Sequence, residues 1–172
     1  AISIAGVINT TNTDLSLGDS DTSVTLTNTT ILSSGSGNVT IGGLLDGHYD
    51  LTVNTAGITQ FNGLVGDGAA LTSVTTDANG SVAFNAVVPA TKASVKTTAK
   101  QTYNDAVTLL QNTILQSSGL NANGNITFDK TIDGAFDLTV NTAGTTQFNG
   151  LVGDGTALTS VTTDANGSVA FN

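Results

Sequence analysis

The sequence predicts an all-β fold in which short strands stack as the coils of a parallel β-solenoid. Three observations support this prediction: a long internal repeat, a turn-rich composition, and apolar residues that recur about every ten positions. The stretch from Asp50 to Asn85 is repeated from Asp137 to Asn172 with only two differences, Ile58 against Thr145 and Ala69 against Thr156. Self-similarity over such a length is typical of repeat architectures.

The duplication extends beyond the near-identical block, whose copies are offset by 87 residues, from Asp50 to Asp137. Upstream, Val24-Thr25-Leu26 matches Val107-Thr108-Leu109 at an offset of 83, so four residues are inserted between the two matches. The insertion falls in a Gly/Ser/Asn stretch, 33–37 against 116–124, that is typical of a loop. We therefore expect two continuous repeat units, 1–85 and 86–172, each of about four coils, cut flush with the repeat and without caps.

The composition favours strands and turns, and it disfavours several kinds of partner. Thr, Val, Asn, Gly and Asp dominate, whereas all 13 acidic residues are Asp and the chain has neither Glu nor Arg. A net charge of −9 repels nucleic acid and anionic membrane surfaces. No apolar run is long enough for a membrane helix, and the first residues do not have the pattern of a signal peptide. The absence of Cys excludes disulfides and thiolate metal sites.

Apolar residues alternate with polar ones inside each short strand, as in Val39-Thr40-Ile41. Turn sequences separate the strands, such as Asp46-Gly47 and Asp77-Ala78-Asn79-Gly80. The residues on the apolar side of these strands are predicted to line the interior: Leu51, Val53, Phe61, Leu71, Val82 and Phe84 in the first unit, and Leu138, Val140, Phe148, Leu158, Val169 and Phe171 in the second.

Two architectures fit strands at this spacing: a β-solenoid and two tandem antiparallel β-sandwiches, which could be Ig-like adhesin domains. The solenoid is favoured because Thr and Asn can form ladders along a stack and because small to medium apolar residues suit a narrow interior. The third reason is the length of the duplication. At about 20–25 residues per coil, 87 residues are taken to be a whole number of coils, and such a duplication preserves the register of every downstream strand.

The stretch from Lys92 to Leu115 requires a separate decision between helix and strand. Lys92, Lys96 and Lys100 are spaced as on a helical face, but residues four apart also share one side of a strand. Val95, Val107 and Leu109 follow odd-number alternation. We expect strands here, with Pro89 in a turn or at a sheet edge at the unit junction.

Phrases such as GNITFDKTIDGAFDLTVNTAGTTQFNG, TALTSVTTDANGSVAFN and KQTYNDAVTL resemble the long repeats of filamentous-haemagglutinin-like and autotransporter-type bacterial β-strand repeat proteins. The resemblance covers most of the second unit and residues 37–85 of the first. It implies a right-handed parallel β-helix and a location on the bacterial cell surface. It carries over no catalytic residue, because those repeats have none, and the fold does not determine the function here.

No pattern predicts a catalytic or cofactor site. The single His48 lies beside the Asp46-Gly47 turn and aligns with Ala135, so it predicts an exposed turn residue. Asp67, Asp77, Asp154 and Asp164 are candidate ligands for weak surface calcium binding, although Asp in these positions is mainly a turn former. Thr pairs such as Thr25 with Thr27 suggest ice binding, but they do not recur at a fixed place.

The sequence therefore predicts a non-catalytic structural and adhesive stalk segment of an extracellular bacterial fibre, with no cofactor. Its expected partners are further copies or neighbouring repeats stacked end to end, with a host-surface or glycan receptor as a further candidate. An ice-binding solenoid is the alternative function from another class.

Overall fold

The computed structural model describes residues 1–172 and contains nineteen β-strands and one 3-10 turn, Asn121–Gly124. No helical segment has the length and apolarity to cross a membrane. The strands in chain order are β1 (Ile2–Asn9), β2 (Leu15–Leu17), β3 (Val24–Gly35), β4 (Val39–Ile41), β5 (Leu45–Asp46), β6 (Asp50–Thr55), β7 (Ile58–Phe61), β8 (Ser73–Thr76), β9 (Ser81–Phe84), β10 (Val95–Thr97), β11 (Gln101–Tyr103), β12 (Ala106–Leu109), β13 (Thr113–Leu120), β14 (Ile126–Phe128), β15 (Ile132–Asp133), β16 (Asp137–Ala143), β17 (Thr145–Phe148), β18 (Ser160–Thr163) and β19 (Ser168–Phe171).

The chain winds as a parallel β-solenoid of about seven turns, with three faces in each coil. The first face contains the beginnings of β1 and β3 and then β5, β10, β13, β16 and β18. The second face contains the ends of β1 and β3 and then β6, β8, β11, β14, β17 and β19. The third face contains β2, β4, β7, β9, β12 and β15. Isolated bridges at Val65 join β5 to β10 along the first face.

Every strand pair is parallel, which confirms the predicted solenoid and shows that the tandem antiparallel sandwich is wrong. Parallel neighbours require a crossover between them, and here the other two faces of the coil provide it. Coil length varies from 20 residues, between Val39 and Thr59, to 30 residues, between Val65 and Val95. The longest coil lies at the unit junction and includes Pro89, whose carbonyl accepts the Lys92 N–H in a turn.

The stretch from Lys92 to Leu115 forms strands, as predicted. It contributes β10, β11, β12 and the start of β13 to successive faces. The three lysines do not share one face of a helix. Lys96 lies on β10, whereas Lys92 and Lys100 lie outside the strands.

The two copies of the near-identical block lie on different faces of the solenoid. Leu51 is on the second face. The residues that pair with it in successive coils of that face are Val74, Gln101, Ile126 and, four coils later, Thr146. Leu138, the repeat equivalent of Leu51, is instead on the first face, one strand before Thr146. The duplication is therefore one face short of four coils, and the assumption of a whole number of coils is wrong. Loop lengths absorb the difference.

One hydrophobic cluster of 28 buried residues runs through both predicted units, from Ile4 to Phe148. Nine of the twelve predicted interior residues are buried in it: Leu51, Val53, Phe61, Leu71, Val82, Phe84, Leu138, Val140 and Phe148. Leu158 is only half-buried. The expectation is wrong for Val169 and Phe171, which are 43% and 72% exposed, because no following strand covers β19.

Aromatic rings stack along the axis inside this core. The ladder begins on the third face with Phe61 and Phe84, whose centroids are 5.8 Å apart, and continues on the second face with Tyr103, Phe128, Phe148 and Phe171. Phe84 meets Tyr103 edge-to-face, at 86° and 5.4 Å, where the ladder changes faces. This change of face is the packing consequence of the rotated repeat.

Candidate functional site

The residues singled out for chemistry do not converge on one place. His48 is exposed in a bend, as predicted. No three His, Cys, Asp or Glu side chains are grouped so that they could hold a metal ion. Asp67 forms an ion pair with Lys92, and Asp154 is exposed. The candidate calcium ligands are therefore scattered over several loops.

Asp77 and Asp164 each bind backbone of the preceding coil instead. Asp77 Oδ1 accepts the Thr55 N–H at 3.0 Å, and Asp164 Oδ1 accepts the Thr142 N–H at 3.1 Å. Charge-assisted bonds of this kind satisfy backbone donors that a solenoid corner leaves unpaired. These two carboxylates act structurally as clamps between coils.

A second pair of carboxylates performs the same task at another repeated corner. Asp46 Oδ1 accepts the N–H groups of Gly68 and Ala69, both at 3.0 Å. Its repeat equivalent, Asp133, accepts those of Gly155 and Thr156 at 2.8 and 2.9 Å. Four of the 13 aspartates therefore accept hydrogen bonds from the backbone of an adjacent coil.

The second face presents a threonine ladder that sequence inspection missed. Thr52, Thr75, Thr102 and Thr127 are direct register partners on β6, β8, β11 and β14, and all four are half-exposed. Neighbouring parallel strands lie about 4.8 Å apart, so the hydroxyl and methyl groups repeat at that spacing. The row has two ends: Ile31 on β3 is the register partner before Thr52, and Gln147 on β17 is the register partner after Thr127.

Amide side chains form shorter ladders beside the faces. Asn85 Nδ2 donates to Asn62 Oδ1 at 3.0 Å, and Asn172 Nδ2 donates to Asn149 Oδ1 at 2.8 Å. Asn149 in turn donates to Asp129 Oδ1. These pairs fix the corner that follows the phenylalanines of the ring ladder, and they keep adjacent coils in register.

Two clefts open on the surface of the chain. The first has a volume of about 470 Å³ and is lined by Asn12, Ser33, Gly35, Ser36, Asn54, Thr55, Ala56, Asp77 and Asn79. The second has a volume of about 440 Å³ and is lined by Asn121, Ala122, Asn125, Ala143, Gly144, Thr145, Asn166, Gly167 and Ser168. Ala56 and Asn79 in the first cleft are the repeat equivalents of Ala143 and Asn166 in the second. The clefts therefore lie at the same corner of the repeat, but these two pairs are the only equivalent lining residues from the near-identical block.

A buried polar cluster lies at the junction of the two units. Tyr103 Oη donates to Gln101 Oε1 at 2.9 Å, and Gln101 Nε2 donates to the Gln116 carbonyl at 2.9 Å and to Thr97 Oγ1 at 3.2 Å. Burial raises the pKa of the Tyr103 hydroxyl above its ordinary value. The cluster is closed to solvent, so its role is to hold the junction together.

Asp105 is the one buried carboxylate, and it lies next to that junction. Its Oδ1 accepts the Gly80 N–H at 2.8 Å, whereas its Oδ2 has no hydrogen-bond partner in the protein. Desolvation by burial raises the pKa of Asp105; the bond from Gly80 opposes this rise, and the carboxylate of Asp77 adds to it. A fully buried carboxylate with one unpartnered oxygen bears on the stability of the fold.

Comparison of the chain with protein-family models, with curated proteins and with solved structures found no match.

Proposed function

We propose that this chain is a non-catalytic structural and adhesive stalk segment of an extracellular bacterial fibre. The observation that carries the proposal is the single axial core shared by two near-identical copies. With about seven turns at about 4.8 Å each, the stack forms a rod of roughly 34 Å. The resemblance to bacterial surface β-strand repeats supports the same role.

The exposed end of the rod suggests how the stack extends. Val169 and Phe171 on β19 are exposed, although their repeat equivalents Val82 and Phe84 on β9 are buried. β9 is covered by β12 in parallel register, with Val82 opposite Val107 and Phe84 opposite Leu109. A strand of the same kind, from a neighbouring repeat or from a second copy of the chain, would cover β19 in the same way.

Small-angle X-ray scattering of a head-to-tail fusion of two chains tests the stalk. A continuous rod predicts that the maximum dimension increases by one chain length while the cross-section stays constant. Two particles joined by a flexible link would contradict the proposal.

Light scattering of the single chain at rising concentration tests end-to-end stacking. The average particle mass should increase with concentration for the natural chain and not for Phe171→Lys. A natural chain that stays monomeric at high concentration would count against self-assembly.

Ice binding is the second candidate function, and the threonine ladder on the second face is the observation that supports it. Thr52, Thr75, Thr102 and Thr127 form a regular row of hydroxyl and methyl groups on a parallel sheet. Such a row can order water at the strand spacing. The measurement is thermal hysteresis of the natural chain against Thr102→Tyr, with Thr108→Tyr on the third face as the matched control. Absence of hysteresis in the natural chain would eliminate this candidate.

A further inference from the structure

We infer that the two corner clefts are binding sites for an uncharged, hydroxyl-rich ligand, namely a neutral glycan. This inference rests on the proposed adhesive role and assigns its ligand class. Its starting point is that the two clefts occur at the same corner of the repeat, with similar volumes. Both clefts are wide open to solvent and have polar linings, with volumes of about 440 and 470 Å³.

The lining groups define the chemistry of the ligand. Three of the nine lining residues in each cleft are Asn, and each amide offers both donors and an acceptor. Ser and Thr hydroxyls add further groups of both kinds. The second cleft contains no charged residue, and the first contains only Asp77, whose carboxylate already accepts the Thr55 N–H. A ligand with many neutral hydroxyl groups matches this set.

Other ligand classes fit less well. Neither cleft has a Lys, and the chain carries a net charge of −9, so an anionic ligand would be repelled. Only one or two alanines in each cleft are apolar, which leaves no pocket for the hydrophobic anchor that a peptide would need. The ligand class that fits the clefts is therefore a saccharide without sulfate or sialic acid.

The amides are partly fixed in place before any ligand arrives. Asn12 Oδ1 accepts the Ser36 N–H at 3.1 Å in the first cleft, and Asn125 Oδ1 accepts the Thr145 N–H at 2.9 Å in the second. Each bond orients the amide and leaves its Nδ2 group for a ligand oxygen. Asn54, Asn79 and Asn121 make no side-chain hydrogen bond within the protein and keep their full capacity. Preorganised donors lower the cost of binding.

The rotated repeat determines how the two sites are presented. The first cleft lies at the corner between the second and third faces, and the second lies at the corner between the first and second faces. One straight glycan that follows a single edge of the rod cannot occupy both clefts, so the rod binds two separate glycan molecules. With no aromatic platform in either cleft, each site binds weakly, and adhesion depends on several sites acting together.

Binding of the whole chain to an array of neutral, sialylated and sulfated oligosaccharides tests the inference. Ala56 and Ala143 are exposed lining residues, so Ala56→Trp and Ala143→Trp should plug one cleft each without disturbing the core. Ala90→Trp, at an exposed loop residue outside both clefts, is the matched control. Thermal melting of all variants checks that each remains folded.

We expect binding to neutral oligosaccharides at two sites per chain. Either plug should halve the number of sites, and the double variant should lower apparent affinity on the array by about tenfold or more. The Ala90→Trp control should bind like the natural chain. Unchanged binding by the folded double variant, a preference for anionic glycans, or no binding to any neutral glycan would overturn the inference. The rod scattering test is independent of all three outcomes, so failure here leaves the stalk itself standing.

Discussion

Phe148 illustrates how the core depends on single inward side chains. It is buried between Phe128, at a centroid distance of 5.4 Å, and Phe171, at 5.0 Å. Its neighbour Gln147 points outward on the same strand and is half-exposed. The two residues therefore provide an internal comparison between the apolar and solvent sides of β17.

Phe148→Asp should destabilise the rod by at least about 3–5 kcal/mol, because it removes a stacked ring and buries an unpaired carboxylate. Gln147→Asp places the same carboxylate in solvent and should change the melting temperature little. Thermal denaturation followed by circular dichroism measures both. A Phe148→Asp variant as stable as the natural chain would show that the inward assignment is wrong.

Asp105 makes a second residue-scale prediction, concerning pH. The pKa of Asp105 is raised in the folded chain above its value of 3.8 when unfolded, so the folded state binds the proton more tightly. This contribution to stability is fully present below pH 3.8 and is lost as pH rises through the folded pKa. The groups facing Asp105 are Asp77, Lys130, Thr76 and the Gly80 N–H.

Asp105→Asn should therefore raise the melting temperature at neutral pH and flatten its pH dependence. The amide can keep the bond from Gly80 without carrying a buried charge. Asp154→Asn, at an exposed position, is the control and should alter neither quantity. Lower stability of Asp105→Asn at neutral pH would mean that the buried carboxylate is stabilising as an anion.

At the scale of elements, the sequence predicts strands and turns well but does not predict which strands become neighbours. Alternation in Leu51-Thr52-Val53 identifies an inward and an outward side, and the turn residues mark the corners. Coil length, however, varies between 20 and 30 residues because loops such as 86–94 differ in size. Periodicity within a strand contains no information about that variation.

The threonine ladder shows the consequence. Thr52 and Thr75 come from different phrases of the repeat, and Thr102 and Thr127 come from parts of the second unit with other sequences. They meet only through the register of four successive coils. A search for one repeated Thr pair, such as Thr25 with Thr27, cannot find such a row. The clefts were missed for the same reason.

The junction between the copies is where the ring ladder changes faces. Tyr103 continues the ring ladder after Phe84, and its hydroxyl is bonded to the buried Gln101. Tyr103→Phe should cost about 1–3 kcal/mol, because Gln101 Oε1 would lose its donor while remaining buried. Tyr49→Phe is a matched control at a 39% exposed tyrosine and should be close to neutral. Equal stability of the two variants in urea would contradict the proposed role of the Gln101 bond.

At the scale of the whole molecule, the two units form one rod because the core, the ring ladder and the second face all continue through the junction. β8 of the first unit pairs directly with β11 of the second. The repeat period, one face short of four coils, turns each copy to a different side of the axis while leaving this continuity intact. A rod of this kind presents copies of one surface in more than one direction.

The most direct test of this continuity is a cross-link between the two units. The natural chain has no cysteine, so T75C combined with T102C introduces one pair, at adjacent second-face positions on β8 and β11. Paired strands lie about 4.8 Å apart, which suits disulfide geometry. The control is T75C combined with T108C, because residue 108 lies on the third face. Mass spectrometry after mild oxidation should find an intramolecular disulfide in the first variant and not in the second. Absence of the link in T75C/T102C, or equal linkage in both variants, would contradict a single continuous stack.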